Sequence, residues 1–139
     1  MKKKAITVDF DETLFNTQPI QVGWGWVSSG SLEPIKRVHE LVQKKAKEGY
    51  DIHVVTFRDK STSGTEVEDL IAKHNLPIKS VVYTACKPKT PFLKKLDSKL
   101  HIDDDVEVCL LASFADIDVL LVDHGQSKKN ETAKLFKKI

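Results

Sequence analysis

Cysteine and long apolar runs are both scarce in this chain of 139 residues. Its two cysteines, Cys86 and Cys109, have neither the spacing of a zinc site nor that of a secreted disulfide framework. We therefore expect buried free thiols in a reducing, cytoplasmic environment. The apolar stretch 5–8 behind the basic start is too short for a signal peptide, and no segment approaches the length of a membrane span.

The net charge is also small, at +2 from 22 basic and 20 acidic residues. A charge this low excludes the strong global field that draws many proteins to nucleic acid. The hydrophobic share of 40% and the charged share of 30% are ordinary for a globular protein. A chain of this length is most economically one domain with one core, so we expect a single domain over residues 1–139.

Short apolar, β-prone runs alternate with helical patterns along the chain. The predicted strands are 5–8, 52–57, 80–83, 100–102 and 119–122. The predicted helices are 33–47, 65–74, 91–96, 106–114 and 131–136. Strands that alternate with helices form parallel sheets covered on both faces. The sequence thus predicts an α/β, Rossmann-like domain with a five-stranded parallel sheet.

The segment 16–31 breaks this alternation and contains both tryptophans. Val22, Trp24 and Trp26 alternate with glycine and other residues, which predicts a short hairpin or flap. Two interpretations remain open for the tryptophans. They either seal a sheet edge or the core, or they cover a site and stack on a substrate ring.

Side chains suited to phosphate chemistry follow the predicted strands. Asp9 and Asp11 follow the first strand, Thr56 lies at the end of the second, and Asp103 and Asp104 follow the fourth. Ligands of open α/β sheets bind at the carboxyl ends of the strands, so these groups are expected at one edge. Near-adjacent carboxylates repel each other, and a divalent cation beside a phosphate gives a reason to keep them together.

The acidic motifs resemble those of the haloacid dehalogenase superfamily of phosphohydrolases. The stretch 9–13, Asp-Phe-Asp-Glu-Thr, is similar to its first motif, Asp-x-Asp-x-Thr after an apolar strand. Asp103 and Asp104 resemble the acidic fourth motif. The motifs occur in family order and span residues 5–122, nearly the whole chain.

The two middle motifs are represented by single residues. Thr56 resembles the second motif, a Thr or Ser that ends a strand, although a β-branched residue is also ordinary in a strand. Lys89, before the helix that begins near Pro91, resembles the third-motif lysine. Three other lysines compete with it for this role, namely Lys87, Lys94 and Lys95.

The resemblance implies a role for each motif residue. Asp9 is the expected nucleophile that forms a phospho-aspartate, and Asp11 is the expected acid and base. Thr56 and Lys89 are expected to hold the phosphoryl group. The implied cofactor is Mg²⁺, bound by Asp9, Asp103, Asp104 and the backbone carbonyl of Asp11.

Further residues are candidates for contacts with substrate. They are Thr13 in the first motif, Arg58 beside Thr56, and the flap residues Trp24 and Trp26. Arg58 has an alternative, which is to pair with Asp59 or Glu66. Asp105 is expected to cap the helix that begins at Val106 rather than to bind metal. His39, His53, His74 and His101 have no ligand spacing, and we expect structural or surface roles for them.

The intervals between motifs are too short for a cap domain, so the resemblance implies a capless member. Such members act on macromolecules or form a lid from a neighbouring subunit, so a homo-oligomer is one expectation. Residues 54–61 loosely resemble polynucleotide 3′-phosphatase domains, and a nucleotide or nucleic-acid end phosphate is therefore the first substrate prediction. A sugar phosphate is the alternative. A phospho-ligand-binding or regulatory module without turnover is the non-enzyme hypothesis.

Overall fold

The computed structural model describes residues 3–23 and 25–139, and for Gly25 and Trp26 it describes the backbone alone. The strands within these residues are β1 (Ala5–Val8), β2 (Gln18–Val22), β3 (Gly25–Ser29), β4 (Asp51–Thr56), β5 (Ile78–Tyr83), β6 (Ser98–Asp103) and β7 (Asp118–Leu121). The α-helices are α1 (Lys36–Lys47), α2 (Lys60–Ser63), α3 (Glu66–Lys73), α4 (Thr90–Lys95) and α5 (Val106–Phe114).

Five of the strands form one parallel sheet in the order β5-β4-β1-β6-β7. The central strand β1 lies between β4 and β6, and Thr7 is paired with His53 on one side and His101 on the other. The chain runs outward from β1 in both directions. This arrangement confirms the predicted α/β class and five-stranded parallel sheet, and it is compatible with a Rossmann-like fold.

Helices cover both faces of this sheet. On one face α1 and α3 contribute Val38, Val42 and Val67, which pack against β1 and β4 in the larger core cluster. On the other face Leu93 of α4 and Ala112 of α5 form a smaller cluster. The four-residue spacing of Val38 and Val42 places both on the buried side of α1, which explains why this segment is helical and where it packs.

The segment after β1 forms the predicted flap, an antiparallel hairpin of β2 and β3. The β2 side chains are exposed, and Ile20 of β2 lies opposite Val27 of β3. Trp24 is outside the described residues, as is the side chain of Trp26. The two interpretations of the tryptophans therefore remain predictions.

Three features differ from the sequence-based expectation. The predicted helix 131–136 is a short 3₁₀ turn, Ala133–Leu135, because the chain then extends along β7, where the Lys137 carbonyl accepts from the Leu121 N–H at 2.9 Å. The four-residue helix α2 was not predicted. Cys109 is buried as expected, but Cys86 is exposed in a tight turn with φ of +64°.

Within residues 3–23 and 25–139, no helix has the length and apolar character needed to cross a membrane. The longest helix, α1, has 12 residues, whereas a span needs about 20.

Candidate active site

The predicted site residues meet at the carboxyl edge of the sheet. β1 leads directly into Asp9, β4 ends at Thr56 and β6 ends at Asp103. The Asp9 N–H donates to the Ile102 carbonyl at 2.9 Å, so the ladder between β1 and β6 continues into the site. A cleft of about 290 Å³ opens here, and Asp11 lies on its wall.

Lys89 lies at the centre of a buried ionic group, which we call the Lys89 cluster (Lys89, Asp9, Asp103 and His101). The Lys89 Nζ donates to Asp9 Oδ1 and to Asp103 Oδ2, each at 2.8 Å. Lys89 is only 2% exposed, and it precedes the first turn of α4. The three competing lysines, Lys87, Lys94 and Lys95, are all exposed. The geometry therefore separates Lys89 from its competitors.

The carboxylates of this edge have strongly perturbed proton affinities. Burial, followed by the charge of Asp103, raises the pKa of Asp9 to about 7. Burial, followed by the charge of Asp9, raises the pKa of Asp104 to about 9. Burial alone would raise the pKa of Asp103, but the Lys89 charge and a hydrogen bond from His101 outweigh it and lower that pKa. Without a further cation, the edge thus holds more negative charge than it can easily stabilise.

Asp9, Asp103 and Asp104 form a group that could hold a metal ion. Each offers one carboxylate oxygen, and these oxygens lie within 4.8 Å of one another. Oxygen-only donors of this kind suit hard cations such as Mg²⁺. The Asp11 carboxylate is not part of the group, and the predicted role of its backbone carbonyl as a ligand stays a prediction.

Thr13 was predicted to contact substrate. Its buried side chain lies between the carboxylates of Asp9 and Asp104. Its hydroxyl is fully buried and lies 3.2 Å from Asp9 Oδ2 and 3.3 Å from Asp104 Oδ1. A single hydroxyl proton is therefore shared between two carboxylates. In this geometry Thr13 orients Asp9 and Asp104, while its contact with substrate stays a prediction.

Behind the Lys89 cluster, a chain of buried polar side chains runs back through the sheet. The His101 Nε2 donates to Asp103 Oδ2 at 2.8 Å, and its Nδ1 accepts from the Thr7 hydroxyl at 2.8 Å. Burial lowers the pKa of His101, and a neutral ring with its hydrogen on Nε2 satisfies both contacts. The Thr7 hydroxyl is also 2.8 Å from Ser98 Oγ.

The contact of His101 with the site was missed in the sequence, although a signal was present. His101 and Asp103 are two residues apart on β6, and alternate residues of a strand lie on the same face. A polar side chain at this spacing before a site carboxylate is positioned to hold it. The expectation of a structural or surface role for His101 did not include its contact with Asp103.

Asp11 faces a second ionic group, which we call the Arg58 cluster (Arg58, Asp11, Ser28, Ser63 and Glu66). The Arg58 Nη2 donates to Asp11 Oδ1 at 2.6 Å, and its Nε donates to Asp11 Oδ2 at 3.0 Å. The Thr17 hydroxyl also donates to Asp11 Oδ1 at 2.8 Å. Both oxygens of the candidate acid and base are therefore engaged by the protein.

The remaining Arg58 donors connect the site to the flap. Nη2 donates to the Ser28 hydroxyl of β3 at 2.7 Å, and Nη1 donates to Glu66 Oε2 at 3.2 Å and to Ser63 Oγ at 3.4 Å. Glu66 in turn accepts from the Ser28 backbone N–H at 2.9 Å. The pairing of Arg58 with Glu66 is confirmed, whereas its pairing with Asp59 is not seen. The contact of Arg58 with substrate stays a prediction.

The other predicted residues have simpler surroundings. The Thr56 hydroxyl is buried and accepts from the Arg58 N–H at 3.3 Å. Asp105 caps α5, as predicted, by accepting from the Glu107 N–H at 2.9 Å. His124, after β7, was not among the predicted residues; its Nε2 donates to the carbonyl of Glu12, next to Asp11, at 2.6 Å.

Neither family models nor curated proteins provide a relative of this chain. The resemblance to the haloacid dehalogenase superfamily therefore stays a proposal. Its support consists of the motif residues together with the positions of Asp9, Lys89, Asp103 and Asp104 at one edge of the sheet.

Proposed function

We propose that this protein is a Mg²⁺-dependent phosphomonoester hydrolase of the haloacid dehalogenase type, with Asp9 as its nucleophile. The observation that carries the proposal is the Lys89 Nζ, which lies 2.8 Å from both Asp9 and Asp103 beside a third carboxylate, Asp104. A buried ammonium next to three carboxylates supplies what phosphoryl transfer needs, namely a nucleophile, a positive charge and oxygen ligands for a metal.

In the first step, a carboxylate oxygen of Asp9 attacks the phosphorus of the substrate. The bond from phosphorus to the ester oxygen breaks, and Asp11 donates a proton to that oxygen. The alcohol leaves, and an acyl phosphate remains on Asp9. Because both Asp11 oxygens accept from Arg58, Asp11 must exchange at least one of these hydrogen bonds to reach the leaving oxygen.

In the second step, Asp11 acts as the base. It takes a proton from a water molecule whose oxygen attacks the phosphorus, and the bond from phosphorus to Asp9 breaks. Inorganic phosphate is released and Asp9 returns to its carboxylate form. Throughout both steps, Lys89 keeps Asp9 oriented and offsets the negative charge that a phosphate adds to this edge.

Asp9, Asp103 and Asp104 are the residues that would hold Mg²⁺. The chemistry supplied by Mg²⁺ is neutralisation of charge between the anionic nucleophile and the anionic phosphate. The raised pKa values of Asp9 and Asp104 support this assignment, since burial and the neighbouring carboxylates leave both groups with more negative charge around them than the nearby Lys89 offsets.

We also propose that the protein is capless, since the intervals that hold caps in larger members are short here. Between β1 and α1 the chain forms the flap hairpin, and between β4 and β5 it forms α2 and α3. The site is therefore covered by the flap on one side. A capless site supports a substrate that enters an open cleft.

The test is Mg²⁺-dependent phosphate release across a panel of phosphomonoesters, with the Asp9→Asn protein as the blank. The panel contains nucleoside 3′- and 5′-monophosphates, end-phosphorylated oligonucleotides, sugar phosphates and phosphopeptides. We expect turnover that stops on chelation and is restored by Mg²⁺, and a loss of at least about 10³-fold in Asp9→Asn. Turnover equal to the blank on every member would overturn the proposal in favour of a binding module.

A further inference from the structure

The cleft beside Asp11 contains more negative charge than the proposed reaction uses. In addition to the site aspartates, three carboxylates line it, from Glu12, Asp59 and Asp105. None of these has a part in the two chemical steps. Their presence at the entrance for an anionic substrate therefore requires a separate explanation.

These three carboxylates are fixed by local hydrogen bonds. Glu12 Oε1 accepts from Gln18 Nε2 at 2.6 Å. Asp59 caps α2 and accepts from the Ser61 N–H at 2.9 Å, and Asp105 caps α5. In the part of the chain that the structure describes, none of the three forms an ion pair with a lysine or arginine. Their charges are held in place on residues that line the cleft.

The cations near the cleft are committed to other partners. Arg58 is the one basic residue among the described lining residues, and its side chain is 2% exposed. Its donors are directed to Asp11, Ser28, Ser63 and Glu66. Lys89 lies behind the wall between Asp9 and Asp103. A substrate with a second anionic group therefore brings it close to fixed carboxylates. Among the described residues of the wall, every cation is already bonded to other partners.

The uncharged part of the wall is partly apolar. Pro19 from the flap, Phe57 and Cys86 line the same cleft. The Lys89 Nζ lies 4.7 Å from the centroid of the Phe57 ring, so this ring packs against the Lys89 cluster at the wall of the cleft. The cleft volume of about 290 Å³ is at the lower end of the range for small-molecule sites.

We propose that the cleft selects phosphomonoesters of small molecules whose remaining part is uncharged or cationic, and rejects polyanions such as oligonucleotides. This inference rests on the proposed function and specifies its substrate class. The physical basis is repulsion between a second negative charge on the substrate and the carboxylates that line the cleft. Nucleoside and sugar monophosphates remain in the selected class, while oligonucleotide ends and sugar bisphosphates fall outside it.

Three matched esters test the proposal, because they share a ring and differ in charge. They are 4-methylphenyl, 4-(carboxymethyl)phenyl and 4-(aminomethyl)phenyl phosphate. With Mg²⁺ at low ionic strength, we expect kcat/KM for the carboxymethyl ester to be at least about tenfold below that of the methyl ester. The kcat/KM for the aminomethyl ester should equal or exceed that for the methyl ester. The differences in kcat/KM among the three esters should shrink at high salt.

A pair of variants locates the effect in the cleft. Glu12→Gln should raise the ratio of kcat/KM for the carboxymethyl ester to kcat/KM for the methyl ester about threefold, because it removes one lining charge and keeps the side-chain shape. Asp97→Asn, at the opposite edge of the sheet before β6, removes a surface charge that is paired with Lys99 and lies away from the cleft, and it should leave the ratio unchanged. Equal kcat/KM for the three esters would overturn this inference and leave the proposed function standing. Absence of turnover of all three would instead overturn the proposed function and this inference with it.

Discussion

The Lys89 cluster and the Arg58 cluster lie side by side at one edge of the sheet, yet they differ in burial and in what they connect. The side chains of Lys89 and Asp103 are each 1% exposed, and the polar chain behind them runs into the sheet. In the Arg58 cluster the arginine is 2% exposed, but Asp11 and Glu66 are 17% and 30% exposed. The first cluster joins core elements, and the second joins a loop to the flap.

This difference indicates two kinds of function. A buried charge whose partner is removed cannot be resolvated without opening the core, so the Lys89 cluster is expected to be rigid. The Arg58 cluster borders solvent, and Asp11 can exchange a hydrogen bond there at lower cost. The proposed two-step phosphoryl transfer would use this difference, with Asp9 as a fixed nucleophile and Asp11 as an adjustable acid and base.

The largest effect on stability is expected from Lys89→Met. This substitution leaves Asp9 and Asp103 buried without their cation, which should lower the free energy of unfolding by about 3–5 kcal/mol. Urea denaturation at neutral pH without Mg²⁺ measures the change. Lys87→Met, two residues away on an exposed side chain, is the matched control and should change stability by less than about 0.5 kcal/mol. Equal stability of the two variants would mean that the Lys89 cluster is not a buried ionic unit.

The corresponding change in the Arg58 cluster should act mainly on catalysis. Arg58→Met removes two of the three hydrogen bonds that orient Asp11 and leaves the one from Thr17, and we expect kcat to fall about 10- to 100-fold on an alkyl phosphate. The loss should be smaller on p-nitrophenyl phosphate, whose leaving group needs little help from an acid. Arg58→Lys should recover part of the alkyl activity. Equal losses on both substrates would show that Arg58 supports the fold and not the placement of Asp11.

Stability without metal should depend on pH through the Lys89 cluster and its neighbour Asp104. The folded pKa values of Asp9, about 7, and Asp104, about 9, lie above the ordinary value of 3.8, so the folded state binds more protons than the unfolded chain. Their stabilising contribution is complete below about pH 4 and is lost as pH rises through 7 and 9. Because the pKa of Asp103 is lowered, its contribution to stability stays constant over this pH range.

The measurement is the melting temperature from pH 5 to pH 9 in chelator and in Mg²⁺. We expect a fall of about 5 °C or more in chelator as pH rises, and a larger increase on adding Mg²⁺ at pH 8 than at pH 5. Asp104→Asn should flatten the chelator curve. A melting temperature that rises with pH in chelator would contradict the assigned crowding of carboxylates.

The smallest effect is expected where the Arg58 cluster meets the flap. Ser28→Ala removes the hydroxyl that accepts from Arg58 at 2.7 Å, a contribution of about 1 kcal/mol. We expect KM to rise about threefold with little change in kcat, because Pro19 of the flap lines the cleft and Asp11 keeps its contacts with Arg58 and Thr17. Ser31→Ala, on an exposed residue after β3, is the control. A fall in kcat without a change in KM would place Ser28 in the positioning of Asp11 instead.

Sequence reasoning located one cluster better than the other for a physical reason. Asp9, Asp103 and Asp104 follow short apolar strands, and parallel strands bring such residues to the same edge whatever the loops do. Lys89 could not be separated from Lys87 because the turn before it depends on backbone conformations at Ala85 and Cys86 with φ of +52° and +64°. No local pattern predicts such values at these residue types.

The contacts of Arg58 were harder to predict because they join distant parts of the chain. Its partner Asp11 is 47 residues away, and its partner Ser28 is on a hairpin whose docking position is not encoded in its own alternation. Two partners, Ser63 and Glu66, are close to Arg58 in sequence, and of these the acidic one, Glu66 on α3, was proposed in advance. Tertiary packing thus determined the Arg58 cluster, whereas secondary structure determined most of the Lys89 cluster.

The central claim is that Asp9 becomes phosphorylated, and the mass of the Asp11→Asn protein tests it most directly. Mixed with Mg²⁺ and p-nitrophenyl phosphate, this variant should form the acyl phosphate, because the leaving group needs no acid, and should hydrolyse it slowly, because the base is gone. The account predicts one phosphoryl group per chain, located on Asp9 and lost in the Asp9→Asn/Asp11→Asn double variant. A phosphoryl group on another residue, or none while the wild-type protein turns over the same substrate, would contradict it.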